Sequence, residues 1–162
     1  MLAVAKRCRH GHPQVLLCKP LSESMEPFPT IFWMTCPYLD KKCGELESEH
    51  KIRELESLLS GNEEEIKKFH TEYTDLRMSL IPAAQKETLN TKYPKMMEKM
   101  LTVGVGGINW HEAPSAVKCL HLQTATWLGC GHHPSEDWLK SELGDIECAD
   151  SKCDAYLKPA DN

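Results

Sequence analysis

AVKCLHLQTATWLGCGHHP, residues 116–134, is the stretch on which the fold and any chemistry of this chain turn. It holds two cysteines and three histidines among Leu, Val, Ala, Thr and Trp. Read as a helix opening near Pro114, it places Val117, Leu120, Thr124, Trp127 and Leu128 on one apolar side, with His121 at that side's edge. Cys119 and His121 are two residues apart, so on an intact helix they stand about 200° apart around the axis. On this reading they share neither a metal ion nor a nucleophile–base bond. Cys119 and Cys130 share a direction but lie roughly 16 Å apart along the axis. Two sulfurs on one zinc need to be within about 5 Å of each other. Gly129 and Gly131 end the helix and release Cys130, His132 and His133 into a loop. There they either gather around a metal or face solvent.

Upstream, LAVAKRC and QVLLCKP are short Val- and Leu-rich runs separated by RHGHP, which reads as a β-hairpin. TIFWMTC supplies a third strand, and Pro37 suits the first turn of the helix that follows. That helix is expected to falter near Gly44 or after Glu47. Ile52, Leu55, Leu58 and Leu59 make one apolar stripe, and after the turn SGN a second runs through Ile66, Phe69, Tyr73, Leu76 and Leu80. Together residues 46–80 read as an antiparallel helical hairpin whose seam is core, or alternatively a surface for a protein partner or a homodimer. The region ending in KMMEKML is less regular, and SEDWLKSEL reads as a last amphipathic helix. The expectation is an α+β domain over residues 1–143: a small antiparallel sheet of about three N-terminal strands, packed with a mainly helical C-terminal part. Residues 144–162 read as a loosely ordered acidic tail.

Composition narrows the partners. Residues 135–162 carry eight acids and three lysines, which accounts for the whole net charge of −5. An acidic end on a neutral body offers no basic stripe to a nucleic-acid backbone. No apolar run approaches membrane-spanning length, and the N-terminus turns basic after five residues, so the expected location is the cytoplasm. Eight cysteines are many for such a protein, yet no pair is spaced CxxC, the loop on which most zinc ribbons and thioredoxin-like sites depend.

Three candidate sites remain open. In RCRHGHP an extended chain points Cys8, His10 and His12 one way, and Cys18 arriving from the next strand would complete a Cys2His2 set. VGVGG has neither dinucleotide-fingerprint nor P-loop spacing and reads as a turn, or as a loop whose N–H groups approach an anion. The third site is the central block itself.

The blocks VAKRCRHGHPQVL, PFPTIFWMTCPYL and GVGGI…AVKCLHLQTATWL resemble, in the same order, the uncharacterised bacterial family catalogued as domain of unknown function 501. The likeness runs from about Ala3 to Leu139. It implies no activity, but it sets Arg7, Cys8, Cys36, Lys118, Cys119 and His121 inside shared motifs. The leading expectation is a small-molecule binding domain or enzyme with a pocket between the sheet and the 114–129 helix. In it Arg7, Lys118, Gly104, Gly106 and Gly107 hold an anionic group, and Cys36 or Cys119 serves as nucleophile with His121 as base. The alternatives are an interaction module built on the 46–80 hairpin and a metal site drawn from Cys8, Cys36, Cys119 and His121.

Overall fold

The structure is a computed structural model that describes residues 1–151, 153 and 154. Strands β1 (Ala3–Arg7), β2 (Pro13–Leu17) and β3 (Phe32–Met34) form an antiparallel sheet in that order. β2 pairs Leu17 with Ala3 on one side and with Phe32 on the other, and Val15 with Met34. The alternation sends Val15, Leu17, Phe32 and Met34 to the helical layer and leaves Trp33 on the outer face, 49% exposed.

Among the described residues seven α-helices follow: α1 (Pro37–Ser48), α2 (Lys51–Ser60), α3 (Glu63–Ser79), α4 (Ala83–Lys92), α5 (Pro94–Thr102), α6 (Leu120–Cys130) and α7 (Glu136–Leu143). The α+β expectation holds. Pro37 sits in the first turn of α1, and α1 runs past Gly44 without a break. The seam residues Ile66, Phe69 and Tyr73 are buried in this chain's own core, at 2%, 4% and 1% exposure, so they present no surface to a partner.

The central helix departs from expectation at its start. It begins at Leu120, not near Pro114, and Cys119 before it is fully extended (φ −165°, ψ 157°). It is also buried nearly all round: Leu120 and residues 122–127 are covered, with the sheet on one side and α1 and α7 on the other. The division into an apolar and a polar side therefore does not hold, because α6 lies at the centre of the fold.

Contact between α6 and β3 depends on Gly129, since a Cβ there would stand 2.3 Å from the Phe32 ring. Gly129→Ala is expected to destabilise the protein by about 1–3 kcal/mol through overpacking, measured as a shift of the urea midpoint.

The described part of the acidic end is packed, not loose. Gln14 Nε2 donates to Ile146 O at 2.8 Å, and Arg9 N donates to Glu147 Oε2 at 2.7 Å. The remainder of the expected tail, residue 152 and residues 155–162, lies outside the described residues.

Candidate functional site

Asp40 and Glu47 are seven residues apart on α1, two turns along one face. They bracket the His121 ring. Glu47 Oε1 accepts from His121 Nδ1 at 2.8 Å and from the backbone N–H groups of Leu120 (2.6 Å) and His121 (3.4 Å). The carboxylate thus caps α6 from another helix, where the positive end of the helix dipole favours it. His121 Nε2 faces Asp40 O at 3.1 Å and Asp40 Oδ1 at 3.3 Å.

Because Cys119 is extended, its thiol turns back toward this ring. Ligand atoms of Glu47, Cys119 and His121 all lie within 4.8 Å of one another, the one such group among the described residues. The helical-wheel argument that set Cys119 and His121 on opposite sides is overturned: a residue outside the helix does not obey its angular period.

Burial pushes the Cys119 thiol up, Glu47 adds to the rise, and the N–H groups of Leu122 and His121 and the Lys118 ammonium oppose it. Both ring nitrogens of His121 face oxygens on α1, so neither is free to take the thiol proton in this conformation. A sulfur, an imidazole nitrogen and a carboxylate are instead the donor set of a three-ligand zinc centre with an open fourth position.

Beside this group lies a pocket of about 350 Å³, with Phe32, Trp33 and Met34 of β3 on one wall and Asp40, Lys118 and His121 around it. Lys118 is exposed and has no ion-pair partner among the described residues. A larger cavity, about 430 Å³, lies at the start of α7, lined by Asn62, Glu65, His133 and Glu136, and has no thiol or cationic amine.

The other expected residues lie elsewhere. Arg7 is at the hairpin, where Nη1 donates to Gly11 O at 2.7 Å. Gly104, Gly106 and Gly107 do not line the pocket. Gly104 is packed so closely that a Cβ would meet His70 Nδ1 at 2.1 Å, and Gly106, in the left-handed region, abuts Leu122 and the Lys118 stem. Gly107 abuts Pro29. Cys36 is buried at the N-terminus of α1 and takes no part in the pocket, and Cys8 sits at the hairpin turn. The proposed metal set therefore divides, with Cys119 and His121 in one place and Cys8 and Cys36 in another.

Cys18 is at the far end of β2 from that turn, where its N–H meets Ile31 O, and so cannot join Cys8, His10 and His12. The CGHHP histidines part company too. His132 pairs with exposed Glu72, while buried His133 bonds to Gln123 Oε1. Asp40 and Glu47 were missed by sequence reasoning, although their spacing of seven on one predicted helix was a usable signal.

Fold and site together define an α+β protein with a thiol–imidazole–carboxylate cluster beside a sheet–helix pocket. Residues 4–141 match the family described as proteins of unknown function, DUF501, and the chain belongs to it. No curated protein and no solved structure matches the chain. No helix among the described residues is long and apolar enough to cross a membrane.

Proposed function

We propose that the chain binds a small anionic molecule in the pocket between β3 and α6. The observation that carries this reading is the placement of an exposed ammonium without an ion-pair partner among the described residues, Lys118, on a cavity of about 350 Å³ walled by β3. Lys118 supplies the counter-charge, Phe32 and Trp33 supply an apolar wall, and the Cys119 thiol supplies a polar contact. With its pKa raised by burial, Cys119 enters as a contact and not as a standing nucleophile.

Thermal unfolding against a panel of phosphate- and carboxylate-bearing metabolites tests the reading. A midpoint rise is expected for at least one class, with binding about tenfold or more weaker in Lys118→Ala, the effect of losing one charged contact. Equal shifts in wild type and variant would refute it.

A second reading is favoured by the 4.8 Å grouping of Glu47, Cys119 and His121. These three would hold a divalent cation whose open position faces the anion. Cobalt(II) titration is then expected to give a single-thiolate charge-transfer band that Glu47→Gln weakens and Cys119→Ser abolishes.

A further inference from the structure

Four of the eight cysteines lie on segments that come together at the hairpin end of the sheet. Cys8 closes the hairpin turn, its N–H donating to His12 O at 2.9 Å. Across β2, Thr35 N–H donates to Gln14 O at 2.9 Å and Thr35 Oγ1 to Pro13 O at 2.9 Å, which sets Cys36 beside the same end. The C-terminal segment then crosses over both. His10 Nε2 meets Cys148 O at 2.9 Å, and His12 Nε2 meets Asp154 Oδ1 at 2.6 Å, so Cys148 and Cys153 are held above the hairpin end. Cys36 and Cys148 are buried, Cys8 and Cys153 half-buried, and all four are free thiols.

We propose that Cys8, Cys36, Cys148 and Cys153 bind one structural zinc ion that clasps the C-terminal segment to the sheet.

Three considerations support this. Four thiolates from separate segments are a structural-zinc donor set, and the four residues between Cys148 and Cys153 fall within the usual ligand spacing. The segment is acidic, and beyond core-packed Ile146 and buried Cys148 it is held by hydrogen bonds and ion pairs such as those from Arg9 and Gln14. His10 and His12 stand beside the cluster and hold the segment that carries Cys148 and Cys153, so that they orient its ligands. Among the described residues no three of these sulfurs lie within 4.8 Å of one another, so loading draws in the two half-buried thiols, on the hairpin turn and the C-terminal segment. Each bound thiol releases its proton to solvent as the metal enters.

Full-length protein made without an affinity tag, in zinc-supplemented medium, is the material for the test. Elemental analysis is expected to find about one zinc lost from the Cys148→Ser/Cys153→Ser variant and retained in Glu47→Gln/Cys119→Ser, which separates this site from the pocket. Cobalt(II) in place of zinc is expected to give the intense near-ultraviolet absorption of several thiolates. The milder Cys153→Ser, at a half-buried position, should weaken zinc retention against a chelator while leaving the far-ultraviolet circular dichroism unchanged. Zinc content equal in wild type and the double variant would overturn the proposal, as would wild-type protein without zinc whose four thiols alkylate at the unfolded rate or pair as disulfides.

Discussion

Replacing Arg77 with methionine is expected to lower the unfolding free energy by about 1–3 kcal/mol, against a typical domain's total of about 5–15 kcal/mol. Arg77, on α3, is wholly buried and has no carboxylate partner among the described residues. Its guanidinium donates to the carbonyls of Pro29 and Gly104 at 3.3 Å and to those of Met100 and Val103 at 2.5 Å. One side chain thus ties the loop before β3 to α5 and the glycine turn, and Tyr73, one helical turn earlier, donates to Pro29 O and accepts from Ile31 N. Methionine fills similar space but leaves Met100 O without its donor, and takes one donor each from the carbonyls of Pro29, Gly104 and Val103, which keep the Tyr73 hydroxyl, the Gly107 N–H and the Thr74 hydroxyl. Urea denaturation should show the midpoint falling with the m-value unchanged. A change under 1 kcal/mol would mean that water replaces the guanidinium.

Acidification is expected to destabilise the protein between about pH 6.5 and pH 3, by up to on the order of 4 kcal/mol, largely through His133. Burial, followed by the neighbouring His132 and His70, pushes the His133 pKa down to about 3. Its Nε2 meets Gln123 Oε1 and its Nδ1 accepts the Ser135 N–H, so the ring is held neutral with both nitrogens satisfied. The unfolded chain takes up this proton near its ordinary value of 6.5 and the folded chain does not. Unfolding is therefore favoured as the pH falls through that window, and the loss stops growing below about 3. His70, also lowered by burial, acts in the same direction. His133→Gln should flatten most of the stability–pH slope above pH 4; an unchanged slope would assign the acid sensitivity to other groups.

Much of the fold was legible in local pattern. The three strands, Pro37 at the head of α1, and the Ile66–Phe69–Tyr73 seam all follow from periodicities that survive packing. A cavity bordered by β3 and α6 has Lys118, Cys119 and His121 on its lining, whereas Arg7, Cys36 and the three glycines expected with them lie elsewhere. What failed was the helix boundary. Moving the start of α6 from 114 to 120 converts two opposed side chains into neighbours. The cause is a cap that comes from Glu47, seventy-three positions earlier, and not from any residue beside the helix.

Residue types and their periods determined, without help from the tertiary structure, that this chain is an α+β protein with a small N-terminal sheet and a mainly helical remainder. Only the tertiary structure decided which polar groups stand together. Glu47 joins Cys119 and His121, and the segment carrying Cys148 and Cys153 is hydrogen-bonded to His10 and His12 of the hairpin. Burial patterns repeat every two or 3.6 residues and so are written locally. A cap or a ligand set depends on side chains from segments far apart in the chain, whose approach is settled by how the whole core packs.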